Sequence, residues 1–123
     1  MVKEQLDHRG ISCEARRCQT VVHMLQDSIA RYPDNEAIVF ENLRLTYSDL
    51  AREIQQLSHR LVSLGAVKGE RVGIVMSNGA AIVVALFASY VAGAQAVPLN
   101  PDYSERELDE ILEASRHARE WIA

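Results

Sequence analysis

Cysteines and secretory features are scarce in this chain of 123 residues. Cys13 and Cys18 are the two cysteines, and their spacing does not match the close pairs that bind zinc. We expect free thiols in a reducing compartment rather than a disulfide across so short a loop. The N-terminal residues also lack the apolar core of a secretory signal, which predicts a cytoplasmic protein.

Basic clusters are missing as well, since Arg16 and Arg17 form the one adjacent basic pair. The formal net charge of −4 therefore argues against a nucleic-acid-binding protein, which usually carries a basic face. With 48% hydrophobic residues the chain can bury a core, and its length allows at most one domain. We interpret residues 1–19 as a polar leader, poorly ordered or loosely packed, and residues 20–123 as the domain.

Charge is absent between Val72 and Pro101, although 24% of all residues are charged. A membrane span is one interpretation of such a run, since a spanning helix needs about 20 mainly apolar residues. Polar and glycine residues interrupt this run at 77–79 and at 93–95, however. The remaining pieces, 72–76, 80–92 and 96–99, have the lengths of a strand, a helix and a strand. They predict a βαβ unit buried on both faces of its sheet and no membrane span.

Other patterns predict helices and a hairpin around this unit. Thr20 is a candidate N-cap for a helix that Pro33 stops, and residues 37–40 and 43–45 form two short strands around a turn. Capping boxes begin two more helices, at Thr46 and at Ser104. The first of these helices ends at Gly65 and carries an apolar stripe of Leu50, Ile54, Leu57, Leu61 and Leu64. The second has a core face of Leu108, Ile111 and Leu112. Residues 119–123 are a candidate further strand. The predicted class is α/β, with an N-terminal hairpin and two to three mostly parallel strands covered by helices.

Six segments in order resemble the adenylate-forming superfamily, which holds acyl-CoA synthetases, nonribosomal adenylation domains and luciferases. They are TYSDL at 46–50, similar to T-Y-x-[ED]-L; GAVKGERV at 65–72, similar to G-[VL]-x-x-G-D-x-V; VMSN at 75–78, similar to [LM]-x-N; AGAQAVPLNP at 92–101, similar to A-G-A-x-x-V-P-[LI]-[ND]-P; YSEREL at 103–108, similar to Y-[TS]-x-x-E-L; and AREWI at 118–122, similar to A-[RK]-x-x-[IV]. Asn100, followed by Glu105 and Glu107, looks more like the fatty-acid and aryl coenzyme A ligases. Gln95, Glu120 and the stretch at Arg116 and His117 depart from the family pattern.

The resemblance implies a function for a full-length relative. Such an enzyme activates a carboxylic acid with ATP and Mg²⁺ as an acyl-adenylate and passes the acyl group to coenzyme A, as in fatty acid metabolism. It also implies that the phosphate loop, the adenine pocket and the catalytic lysine lie beyond this region. Residues 20–123 are therefore expected to be the N-terminal part of an AMP-binding domain, truncated before the phosphate loop and inactive alone.

Candidate sites within the chain are weak. No G-x-x-x-x-G-K-[ST] or G-x-G-x-x-G motif occurs. The segment at 77–79 precedes a helix, where an anion could bind, but we expect Asn78 to cap that helix and Gly79 to allow close packing. We interpret the acidic residues at 102–110 as stabilising a helix start, the trio of His23, Asp27 and Ser28 as a solvated face, and His59 as a surface or boundary residue. The sequence therefore predicts no catalytic, cofactor-binding or metal-binding residue in this chain.

Two other functions stay open. The chain could be an interaction module that complements a separate chain carrying the rest of the domain, because unpaired strands seek partners. It could also be a truncated reading frame with no independent role. In each case the apolar helix at 80–92 must be packed against protein on most sides. We therefore expect the isolated chain to be only marginally stable and to self-associate.

Overall fold

A central parallel strand and the apolar helix that follows it organise the fold. The computed structural model describes residues 5–6, 12–13, 20–115 and 118–122. Their elements, in chain order, are β1 (Gln5–Leu6), β2 (Ser12–Cys13), α1 (Val21–Arg31), β3 (Glu36–Phe40), β4 (Leu43–Thr46), α2 (Tyr47–Ser63), β5 (Arg71–Val75), α3 (Ala80–Ala92), β6 (Gln95–Leu99), α4 (Glu105–Ser115) and β7 (Ala118–Ile122). The short strands β1 and β2 pair antiparallel within the predicted leader. The side chains of the two cysteines, and Arg116 and His117, lie outside the described part.

The main sheet has three parallel strands in the order β6-β5-β7. The connection through α3 joins β5 to its parallel neighbour β6, which confirms the predicted βαβ unit. The connection through α4 then crosses to the other side of β5 and places β7 there. The predicted last strand is thereby confirmed as well.

Burial is unequal across this sheet. Val72, Gly73 and Ile74 of β5 are buried, as an apolar strand between two neighbours should be. In β6, Ala96 and Val97 are half-buried and Pro98 is exposed, so the expectation of a second strand buried on both faces is wrong. Pro98 pairs with Ile74 inside the ladder. An edge strand tolerates proline within it.

The length of α3 bears on the membrane interpretation. This helix has 13 residues, too few for a span of about 20. Across residues 20–115, which include every described helix, none is both long enough and apolar enough to cross a membrane.

The first helix and the hairpin form as their local signals predict. The Thr20 hydroxyl oxygen accepts a hydrogen bond from the His23 backbone N–H at 3.2 Å, and α1 ends at Arg31, ahead of Pro33. Strands β3 and β4 pair antiparallel around a turn at Glu41, whose φ of 52° is left-handed. The predicted cap and hairpin are both confirmed.

A reciprocal capping box begins α2. The Asp49 N–H donates to the Thr46 hydroxyl at 3.1 Å, and the Thr46 N–H donates to an Asp49 carboxylate oxygen at 3.2 Å. Arg52 pairs with the other carboxylate oxygen at 2.6 Å. The backbone hydrogen bond from Thr46, then its hydroxyl and Arg52, hold the pKa of Asp49 below its ordinary value of 3.8.

This lowered pKa predicts the pH dependence of one substitution. Asp49→Asn should lower the free energy of unfolding at pH 7, because the box then loses the charge that both donors favour. The contribution of Asp49 is present above the unfolded-state pKa and fades as the pH falls through the lower folded-state pKa. Urea unfolding from pH 7 to pH 2 should therefore show the variant and the parent converge only below pH 3.8. Glu53→Gln, at an exposed carboxylate on the same helix, is the control and should leave the free energy of unfolding at pH 7 nearly unchanged.

The core lies between α2, α3 and β5. Leu50, Ile54 and Leu61 of α2 are buried with Ala85 and Ala88 of α3. Leu57 is half-buried beside them, which confirms most of the predicted stripe. Leu64 does not belong to it: it caps the helix end and is 54% exposed, because the chain turns away at Gly65, whose φ is 101°. Ser58 is buried on this face, which the sequence pattern did not indicate.

The second capping box begins α4. The Ser104 N–H donates to a Glu107 carboxylate oxygen at 2.8 Å, while the Glu107 N–H reaches the Ser104 hydroxyl at 3.4 Å. The predicted core face of Leu108, Ile111 and Leu112 is half-buried. The start of α4 is thus confirmed.

Candidate functional site

A crevice of about 450 Å³ opens at the carboxyl ends of β5 and β6. Ligands of open α/β sheets bind at this end of the strands, so it is the first place to look for a site. It is lined by Met76, Ser77, Asn78, Ile82, Pro98, Leu99, Asn100, Pro101 and Asp102. Two loops form it, the one from β5 into α3 and the one from β6 towards α4.

The first loop delivers an uncapped helix N-terminus to the crevice. Gly79 is the N-cap of α3, and no side chain makes a capping hydrogen bond there, so the prediction that Asn78 caps this helix is wrong. A Cβ atom on Gly79 would lie 3.6 Å from the Phe40 ring, an ordinary contact. Close packing therefore does not require this glycine, contrary to expectation. The exposed Asn78 amide and the first N–H groups of α3 are left as donors.

The second loop is held by Asn100. Its side-chain oxygen accepts a hydrogen bond from the Asp102 N–H at 3.0 Å, and its backbone carbonyl accepts one from the Tyr103 N–H at 3.2 Å. These bonds fix an Asx turn directly after β6. The turn keeps Asn100 and Asp102 at the rim of the crevice.

The chemistry available in the crevice is neutral hydrogen bonding. Its lining holds a hydroxyl, two amides and the α3 terminus, and its one charged residue is the negative Asp102. No lining residue offers a cation to offset phosphate charge. The crevice therefore does not fit the triphosphate of ATP.

Two of the acidic residues near α4, Glu107 and Glu110, have structural partners. Glu107 belongs to the capping box, and the backbone hydrogen bond from Ser104 lowers the pKa of its carboxyl group. Glu110 pairs with Arg106 at 3.0 Å. Among the residues whose side chains are described, no group of three or more His, Cys, Asp or Glu could hold a metal ion.

The trio on α1 does not form a catalytic arrangement. The Ser28 hydroxyl donates to the Met24 carbonyl at 3.1 Å, and Asp27 pairs with Arg31 at 3.0 Å. Neither contact involves the His23 ring, so each side chain serves its own helix. His59 on α2 is exposed, in agreement with the prediction of a surface residue.

Two further cavities lie at the opposite end of the sheet, and sequence reasoning missed them. One of about 470 Å³ separates the first turn of α1 from the end of α3, and one of about 600 Å³ lies beside the start of β6. They share Tyr90, Gly93 and Ala94. The available signal was the uninterrupted apolar helix, whose last turn leaves Tyr90 and Val91 exposed.

Comparison with known sequences gives one consistent family. The family model described as "AMP-binding enzyme" matches residues 25–118. Phosphinothricin tripeptide synthetase PhsC of Streptomyces viridochromogenes is 34% identical over 85% of this chain and 10% of its own length. Medium-chain acyl-CoA ligase ACSF2 of Mus musculus, a mitochondrial protein, is 37% identical over 76% of the chain and 15% of its own length. The chain thus spans a small fraction of these relatives.

Solved structures show the same relationship. The N-terminal subdomain of Klebsiella oxytoca NpsA superposes with a TM-score of 0.77 and 28% identity. The match covers 86% of this chain and 28% of the NpsA subdomain. The fold is therefore that of one part of such a subdomain.

Proposed function

Because this chain belongs to the AMP-binding enzyme family, we propose that it forms the N-terminal part of an AMP-forming acyl-CoA synthetase domain. The complete domain activates a carboxylic acid with ATP and passes the acyl group to coenzyme A. The strongest support is the β5–α3–β6 unit, which carries the family segments at 75–78 and 92–101 within a fold like the NpsA subdomain. The described residues act in this domain as a scaffold.

The choice of the coenzyme A branch rests on finer evidence. Asn100 and Glu107 are the residues that resemble the coenzyme A ligases. Asn100 accepts the hydrogen bond that forms the turn after β6, and Glu107 takes part in the capping box of α4. ACSF2, an acyl-CoA ligase, is among the relatives, as are peptide synthetases such as PhsC. We therefore propose the acyl-CoA ligase branch and fatty acid metabolism as its context.

No step of the reaction is assigned to a residue of this chain. The crevice offers neutral donors and one carboxylate, which suit positioning of neighbouring chain better than charge stabilisation of a pentavalent phosphate. ATP, Mg²⁺ and coenzyme A would be held by residues of the remaining domain. A cytoplasmic location is likewise part of the proposal, and the mitochondrial ACSF2 is a relative at another location.

The purified chain should give no ATP–pyrophosphate exchange above background with a panel of fatty and aryl acids. ACSF2 assayed in parallel is the positive control. Exchange that persists through purification and disappears in the variant Asn78→Ala would contradict the proposal, because the crevice would then be catalytic by itself.

Two hybrids test the branch. In one, this chain replaces the matching segment of ACSF2; in the other, it replaces the matching segment of PhsC. We expect the ACSF2 hybrid to retain acyl-CoA formation and the PhsC hybrid to lose adenylate formation, since loop and cap residues must fit the surrounding domain. The opposite pattern would assign the chain to the peptide synthetase branch.

A non-catalytic interaction module is the second candidate function. In the described sheet, β6 and β7 each pair with β5 alone, so each has one edge without a described strand. A module of this kind would complete a domain supplied by a separate polypeptide. Elution of the pure chain as a stable, non-associating monomer would count against it.

A further inference from the structure

One end of the molecule exposes apolar and basic side chains from neighbouring elements. It is the end opposite the crevice, where α2 and α3 finish and the loop at residues 64–70 leads into β5. This loop and the end of α3 are in contact, because a Cβ atom on Gly93 would lie 3.7 Å from the Lys68 backbone nitrogen. We use the name basal surface for Arg60, Leu64, Val67, Lys68, Tyr90 and Val91, which are all exposed.

The cations of the basal surface have no carboxylate partners. Arg60 precedes Leu64 by one turn of α2, so the two residues lie on the same face of that helix. Within residues 20–115, neither Arg60 nor Lys68 makes an ion pair. Ion pairs do form at other arginines of this range, namely Arg31, Arg44, Arg52 and Arg106. The loop at 64–70 holds one carboxylate, the half-buried Glu70. The basal surface is therefore positive on a chain whose formal net charge is −4.

The tip of the β3–β4 hairpin is an apolar patch of the opposite kind. Val39, Phe40 and Leu43 are about as exposed there as the apolar residues of the basal surface. The turn between these strands carries Glu41, and Arg44 is neutralised by Glu36 at 2.8 Å. Charge, and not apolar exposure, therefore distinguishes the basal surface from the hairpin.

We infer that the basal surface docks on an anionic lipid surface. Exposed apolar patches mark sites of protein or membrane contact, and unpaired cations beside them complement anionic headgroups. Tyrosine is enriched where membranes meet water, and lysine and arginine extend along apolar surface to reach headgroups. The edge of the Tyr90 ring contacts Phe87, with the ring centroids 6.0 Å apart.

A lipid surface fits the arrangement better than a single peptide would. The residues of the basal surface come from the ends of separate elements at one end of the molecule, so an extended partner can touch all of them together. The chain would lie on the membrane without spanning it. The inference goes beyond the proposed function and does not rest on it.

The test is sedimentation of the purified chain with vesicles of phosphatidylcholine and phosphatidylserine in equal parts. A sample without vesicles gives the baseline. We expect the chain to bind these vesicles and to bind vesicles of phosphatidylcholine alone much more weakly. Binding should fall in about 1 M salt, where the screening length is about 3 Å.

Matched variants separate the basal surface from general adhesion. Lys68→Gln and Arg60→Gln should each lower the partition coefficient about fivefold, whereas Arg44→Gln, with the same change of net charge at the hairpin, should leave it unchanged. Val67→Ser should also lower it about fivefold, and Val39→Ser, at a similarly exposed valine, should not.

Several results would overturn the inference. They are no binding to the anionic vesicles, equal binding to both kinds of vesicle, and equal losses in Lys68→Gln and Arg44→Gln. Retention by immobilised polyglutamate without vesicle binding would assign the surface to an acidic polypeptide instead. An ACSF2 hybrid that forms acyl-CoA but does not bind anionic vesicles would mean that the rest of the domain covers the surface. Vesicle binding by the chain itself is measured without enzymatic activity, so it can succeed or fail independently of the proposed function.

Discussion

Ala88→Asp should abolish the cooperative unfolding transition of this chain. Ala88 has no exposed surface and belongs to the cluster that α3 forms with α2 and β5. A carboxylate there is larger than the methyl group it replaces and has no described basic partner in that cluster. An unpaired buried charge costs about 3–5 kcal/mol, a large part of the stability of a small domain. Urea unfolding followed by circular dichroism measures the loss.

Ala81→Asp is the matched control on the same helix. Ala81 is exposed in the first turn of α3, which contains no acidic residue. A carboxylate at this end interacts favourably with the helix dipole, so the free energy of unfolding should stay the same or rise slightly. An equal loss of unfolding free energy in Ala88→Asp and Ala81→Asp would mean that α3 is not packed as described.

Val72→Ala has the second-largest expected effect. Val72 is fully buried in the central strand β5. Its truncation removes apolar contacts and leaves a cavity that the neighbouring strands cannot fill, which should lower the free energy of unfolding by about 2–3 kcal/mol. The midpoint of urea unfolding should fall with no change in the slope.

Val39→Ala makes the same chemical change in an exposed setting. Val39 lies in β3 and is 53% exposed. Its loss should cost less than about 0.5 kcal/mol, as is usual for surface substitutions. If Val39→Ala proved as costly as Val72→Ala, Val39 would be as deeply buried as Val72, which would contradict the exposure of β3 described above.

Much of this fold could be predicted because its signals are local. Thr20, Thr46 and Ser104 begin three helices through side-chain hydrogen bonds within three residues of themselves. Gly93 ends α3 with a φ of 84°, a conformation that glycine adopts without strain. Such signals depend on a few neighbouring residues and hold in many different tertiary contexts.

The wrong predictions concern features that depend on tertiary packing. Leu64 continues the spacing of the α2 stripe, but the chain leaves the core at the next residue, Gly65. Asn78 has the residue type of a cap, yet the N-cap lies one residue later, at Gly79, and α3 begins at Ala80. Within residues 20–115, the crevice and the cavities around Tyr90 arise between elements that are distant in sequence. No local pattern could have placed them.

The junction at Thr46 has a mechanical consequence. This residue ends β4 and caps α2 at once, and the next two N–H groups donate to the carbonyls of Asn35 and Pro33 at 3.0 Å each. The hairpin, the helix and the preceding turn are therefore joined directly by hydrogen bonds, with no linker between them. A change of backbone conformation at this junction would break hydrogen bonds in all three elements, so we expect them to unfold together as one cooperative unit. A single inserted residue between β4 and α2 would uncouple them, whereas an insertion at a loop tip would not.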